Sequence, residues 1–303
     1  MRLSTVFAIV TLFFLFGFNS SSNLLAQSAT AEQETASSST QEEFTARVRV
    51  IASNSTSESR LSSLVTILDE LEVKYDVEEF EAGRKTGKNL IIEIPHPTNA
   101  DAETIAIGAH YDQFQVGQGA VDNACSCAAL IEMIQQFQET PLENHALQIL
   151  FFDLEEIGLL GSKAFVKARD EETLPKHFIN VDIFGYGDTI WLMSNADNSL
   201  QKAFEAAGTA ASIPVKSSPM DKYPPSDHQP FVAAEVPTVS VALIDGEEIE
   251  AIKSLLSGQR VAPPRILRTI HTNDDTTEAV APEQSAKAIP LLESAIRILD
   301  AGN

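Results

Sequence analysis

"HALQILFFDLEEIGLLGS" occupies residues 145–162. From Ala146 to Phe152 it is apolar apart from a single glutamine. It shows no alternation of wet and dry positions, so residues 145–155 read as a strand buried on both faces. Strands of that kind belong to largely parallel sheets with helices packed on either side. The run stops on two adjacent carboxylates, Glu155 and Glu156, and an apolar, glycine-punctuated stretch follows at once. Two negative charges at the end of a buried strand are costly unless something compensates them.

The same alternation extends outward in both directions. Apolar residues at helical spacing mark one or two helices over 42–72. Strands are predicted over 74–82 and 89–95, with "AGRKTGK" (82–88) as the turn between them, and over 103–110. A helix follows at 123–137, another at 159–169, strands at 177–185 and 189–194, and a helix at 199–211. A strand at 238–244 and a terminal helix at 281–301, with Pro290 inside it, complete the pattern. This is an α/β chain with a largely parallel sheet covered on both faces. In such sheets ligands bind beyond the C-terminal strand ends.

The ends and the composition narrow the field. Arg2 precedes an uncharged apolar run of 13 residues, "VFAIVTLFFLFGF" (6–18), and small residues follow near Ala26–Ala29. That is the pattern of a cleaved signal peptide over 1–27. The run is short for a membrane span, which needs about 20 residues. Residues 28–42 are polar and read as a disordered linker. One large domain is expected over 43–303. The formal net charge is −22, from 43 acidic and 21 basic residues, which argues against nucleic acid or an anionic membrane as partner. Cys125 and Cys127 lie too close along a helix for an unstrained disulfide and are read as small buried residues.

Several polar residues fall where strands stop. His110 and Asp112 close "TIAIGAHYD", Asp122 opens the next helix in "GAVDNA", Asp182 lies late in "INVDIFG", and His271 follows "RILRTI". Each has an ordinary explanation alone: a surface histidine, an N-cap aspartate, a solvated loop. Together with Glu155 and Glu156 they gather carboxylates and imidazoles at one sheet edge with no lysine or arginine among them. That is the ligand chemistry of zinc or a similar divalent ion. Side chains of adjacent residues point apart. One of Glu155 and Glu156 can therefore bind metal while the other moves protons.

"IAIGAHYD", "GAVDNA", "FFDLEEIGLLGS", "INVDIFG", "SDHQPF" and "IHTNDDT", in that order over about 103–280, resemble the signatures of metallopeptidase family 28, the co-catalytic di-zinc aminopeptidases and their relatives. The resemblance implies a three-layer α/β/α sandwich with a central mixed, largely parallel sheet. It implies that His110 and Asp182 hold one zinc, Glu156 and His271 the other, and Asp122 bridges both. Glu155 would be the general base and Asp112 the partner that orients His110. Asp227, His228 and Tyr223 would lie near the site, either behind the ligands or against the substrate, with Tyr223 a transition-state donor.

The chain departs from the pattern at Val121, where a second Asp is usual, and at Cys125-Ser126-Cys127. Only twelve positions separate His110 from Asp122, fewer than in many relatives. The expected function is a secreted or periplasmic zinc aminopeptidase acting on peptides with a free N-terminus. Glutaminyl cyclase is the alternative, and a non-catalytic binding domain the third reading. "EEIGLLGS" lacks the longer aromatic insert usual in the cyclases, and Ile270 stands where a tryptophan would be more cyclase-like.

Overall fold

The computed structural model of the chain describes residues 39–194 and 198–302. The expected signal peptide (1–27) and most of the expected linker lie outside the described residues. The end of that linker differs from expectation. Residues 39–42 are helical and open a helix over 39–52 (α1), whose Phe44, Val48 and Ile51 are buried. Its polar first turn precedes its first core residue, so composition alone masks it. A second helix, α2 (Ser57–Glu70), starts at the Thr56 N-cap, whose side chain accepts from Ser59 N in a capping box.

Strands β1 (Asp76–Ala82) and β2 (Lys85–Ile94) form an antiparallel hairpin with Ala82 opposite Lys85. The turn is thus two residues, Gly83 and Arg84, not the seven expected. Gly83 has φ of 66°, which a turn this tight demands. Then come β3 (Thr104–His110), α3 (Cys125–Glu139), β4 (Ala146–Phe152), α4 (Leu160–Lys167), β5 (His177–Phe184) and β6 (Thr189–Ser194). They are followed by α5 (Asn198–Ala211), β7 (Val215–Pro219), α6 (His228–Ala233), β8 (Thr238–Ile244), α7 (Ile249–Leu256), α8 (Ile266–Thr269) and α9 (Pro282–Ala301). The last helix runs unbroken through Pro290.

The eight strands order as β1-β2-β4-β3-β5-β8-β6-β7. The centre, β4-β3-β5-β8, is parallel, while β2 joins β4 and β6 joins β8 antiparallel. In β4, Leu147, Ile149, Leu150, Phe151 and Phe152 are all at most 1% exposed. Each such burial is worth about 1.5–3 kcal/mol, which fixes this strand inside the sheet. One face is covered by α3, α5 and α9. The other carries α4 and α6, where Phe152, Phe165, Phe178 and Phe231 pack together. The molecule is therefore a three-layer α/β/α sandwich with a mixed sheet. After β3 the chain crosses to β4 on one side, then returns to β5 on the other. The C-terminal end of β3 is thus a topological switch point, where such sheets open a crevice. No helix among the described residues is long and apolar enough to cross a membrane.

Candidate metal centre

Five loops deliver side chains to that crevice. His110 is the last residue of β3. Asp122 lies in the wide turn Ala120–Ala124 that leads into α3; it and Asn123 leave helical φ/ψ, and the peptide between them is cis. Asn123 donates to Val181 O (3.1 Å) and accepts from Ile183 N (3.0 Å), so it clamps β5 on both sides of Asp182. There β5 shifts register and Ile183 takes φ of 62°, a bulge that re-aims Asp182. Glu155 and Glu156 follow β4 on a turn that folds back at Gly161. A Cβ on Gly161 would lie 2.4 Å from Asp153 O, so only glycine fits. His271 follows α8 with φ of 58°.

The side chains meet as two triads, His110–Asp122–Asp182 and Asp122–Glu156–His271. Asp122 belongs to both. Its Oδ1 lies 3.1 Å from His110 Nε2, and its Oδ2 lies 3.2 Å from His271 Nε2. Asp182 Oδ1 is 3.6 Å from His110 Nε2, and Glu156 Oε2 is 3.0 Å from His271 Nε2. The buried Glu156 Oε1 and Asp182 Oδ1 have no hydrogen-bond partner. Two acceptor-rich triads sharing one carboxylate, with orphaned carboxylate oxygens and no lysine or arginine among them, fit a pair of divalent ions. Glu155 belongs to neither triad and lines the cavity beside them.

Three buried groups hold these side chains in place. Asp112 accepts from Glu155 N (3.0 Å) and Glu156 N (3.2 Å), with its Oδ1 3.4 Å from His110 Nδ1. It thus ties the acidic turn to the first histidine. Asp275 accepts from Val121 N (2.7 Å) and Asp122 N (3.3 Å) and fixes the backbone at Asp122. Arg60, fully buried on α2, donates to the carbonyls of Tyr111 (3.0 Å), Asp112 (3.3 Å) and Gly119 (2.9 Å). It pins the loop between His110 and Asp122. Sequence reasoning gave no role to Arg60 or Asn123.

Burial and crowded charge move these groups away from their ordinary pKa values. Burial, with the nearby Asp227, Asp182 and Asp122, raises Glu155 well above the carboxylate range despite His110. Burial also raises Glu156, and it raises Asp227 to about 7. His110 is raised although burial opposes it, because Glu155, Asp112, Asp122 and Asp182 surround it. Hydrogen bonds to Asp122 and Glu156 raise His271 to about 10. For Asp122, burial opposes but the two histidines prevail, and its pKa falls.

Raised folded-state values mean that the folded state binds more protons than the unfolded chain. The contribution of Asp227 therefore becomes less favourable as pH rises from about 4 to 7, and that of His271 from about 6.5 to 10. In chelator, the midpoint of thermal unfolding should fall between pH 6 and 9. Bound divalent ions would take over the role of those protons, so saturating zinc should flatten the slope. A melting series with and without chelator checks this.

The cavity in front of the triads has a volume of about 480 Å³. Beyond the carboxylates its walls are Trp191, Ile244, Ile252, Ile266 and Ile270, with Tyr223 beside Trp191. The Tyr223 hydroxyl donates to Trp191 O (3.3 Å), so a role as transition-state donor would require it to turn away. Asp227 and His228, expected near the site, are fully buried and do not line the cavity; Asp227 is close enough to Glu155 to act on its charge. Asp227 Oδ1 lies 2.5 Å from Ser162 Oγ, and burial pushes His228 down to about 4. Cys125 and Cys127 are free, buried thiols that donate to Val121 O and His110 O. Burial raises Cys127 to about 12 and Cys125 well above its ordinary value, so both serve packing.

Residues 89–294 match the sequence profile of Peptidase family M28. Aminopeptidase YwaD of Bacillus subtilis is 27% identical over 220 residues, which cover 70% of this chain and 44% of that protein. The chain thus spans less than half the length of that relative. The structure of BSAP, a zinc aminopeptidase from Bacillus subtilis, superposes with a TM-score of 0.59 at 22% identity, covering 71% of this chain and 50% of that one. A glutaminyl cyclase from an Acidobacteriales bacterium superposes with a TM-score of 0.71 at 18% identity, covering 87% and 96%. These two structures share the α/β sandwich.

Proposed function

The chain belongs to Peptidase family M28, and from that premise we propose that it is a secreted zinc aminopeptidase whose catalytic domain spans 43–303. The observation that carries this reading is Asp122, one carboxylate facing a histidine from each triad. Two zinc ions held by the triads would polarise the scissile carbonyl and lower the pKa of a water. Glu155, beside both triads but in neither, takes the proton from the attacking water and returns it to the leaving amine. The free α-amine of the substrate pairs with the carboxylates that line the cavity. The apolar run at 6–18 supports export, and the expected partner is a peptide.

The cavity favours an apolar N-terminal side chain. Its far walls carry no charge to meet a buried lysine or glutamate. Its uncharged polar groups are already engaged, the Trp191 indole with Ser218 Oγ (2.9 Å), the Tyr223 hydroxyl with Trp191 O and the Thr272 hydroxyl with Thr269 O (2.7 Å). Burying an unpaired charge there would cost at least ~3 kcal/mol. Across peptides Xaa-Leu-Ala, kcat/KM should be about 10²-fold higher for Leu or Phe than for Lys or Glu. N-acetylated Leu-Leu-Ala should resist cleavage. Equal rates on the acetylated peptide would contradict an aminopeptidase, and a preference for Glu would contradict the apolar site. Cyclisation of N-terminal glutamine is the alternative, since it can use the same ligand positions.

A further inference from the structure

The two ligand histidines are held by different means. His110 is buried at the end of β3 with the Asp112 carboxylate beside its Nδ1. The side chain of His271 is 44% exposed, on a backbone with φ of 58°. Among the described residues its recorded partners are Asp122 and Glu156, both on Nε2, and the ring of Phe114. Phe114 lies flat against the imidazole, with centroids 4.5 Å apart and planes 22° apart. It is carried by the short loop between His110 and Asp122.

That loop is rigid by construction. Arg60 grips its carbonyls from inside the fold. On the other side it is tied to the segment after His271: Gln118 N donates to Asp275 O (2.7 Å), and Gln118 Oε1 accepts from Thr277 N (3.1 Å). Gly117 runs so close to Thr272 that a Cβ would lie 2.3 Å from its carbonyl oxygen. The loop that bears Phe114 and the loop that bears His271 are therefore fastened directly to one another. A metal-binding histidine needs its ring plane fixed, usually through a hydrogen bond from its second nitrogen. Here the aromatic stack supplies that constraint.

We propose that Phe114 is the positioning residue of His271, setting the affinity of the Asp122–Glu156–His271 half of the centre for its divalent ion while leaving the His110–Asp122–Asp182 half unchanged. The proposal rests on the two-ion reading of the site, and its test needs no turnover. The metal-free chain is titrated with Zn²⁺ against a competing chromophoric chelator, for the parent, Phe114→Ala, Phe114→Trp and, as a control on the same loop, Val116→Ala. Thermal melting verifies that each variant is folded.

The parent and Val116→Ala should bind two ions. Phe114→Ala should keep the first at parental affinity and bind the second about 10–100-fold more weakly. Phe114→Trp, which can still stack, should restore the second. Unchanged binding of both ions in Phe114→Ala would overturn the proposal. So would equal weakening of both, or a failure of folded Phe114→Trp to recover. A parent chain that takes up a single ion would instead strike at the two-ion reading itself, and the proposal would fall with it.

Discussion

Replacing Asp122 by alanine should leave a folded chain that binds neither divalent ion with parental affinity and hydrolyses peptides at least about 10³-fold more slowly. The loss corresponds to ~4 kcal/mol or more of transition-state stabilisation. Asp122 is the one side chain common to both triads, with one oxygen toward His110 and the other toward His271. Substituting any other member removes a contact from one triad, whereas this change opens both. The surrounding backbone has its own anchors, since Asp275 accepts from Val121 N and Asp122 N, and Asn123 bonds to β5. The turn should therefore survive. Metal content after dialysis, read beside the melting curve, separates loss of ligation from loss of fold. Full retention of two ions in Asp122→Ala would rule out the bridge.

The Glu155→Gln variant should behave differently. Metal content and KM should stay near parental values while kcat falls about 10²–10⁴-fold, the usual worth of a positioned general base. Glutamine keeps the shape of the side chain but cannot accept the proton. Glu155 lines the cavity outside both triads, and its backbone N–H, like that of Glu156, is held by Asp112, so the pair stays splayed. A fall in kcat with metal loss would make Glu155 a ligand. An unchanged kcat would remove it from the chemistry.

Much of the centre was legible because strand ends are legible. An apolar run that stops abruptly at His110, at Glu155-Glu156 or near Asp182 marks the carboxyl edge of a covered sheet, and its polar residues have one crevice to face. What stayed hidden obeys other physics. Arg60 sits in a helix whose polar residues suggest a wet face, yet it is fully buried because four loop carbonyls and Asn54 O need donors there. Phe114 lies in a loop with no periodicity, and its partner is 157 positions away along the chain. The antiparallel joins of β2 to β4 and β6 to β8 left no mark, since a strand covered on both faces reads the same in either direction. β7 escaped notice because "VKSSP" is an edge strand with little to bury. Asp227 and His228 follow the motif, but their burial places them behind the cavity wall.

The most direct test is mass spectrometry of the peptide Gln-Leu-Ala incubated with the purified chain, with and without chelator. A metal-dependent aminopeptidase adds one water and releases free glutamine and Leu-Ala, and chelator stops it. Loss of ammonia with the peptide chain intact would mean a cyclase and would contradict the account, as would cleavage that chelator leaves unchanged.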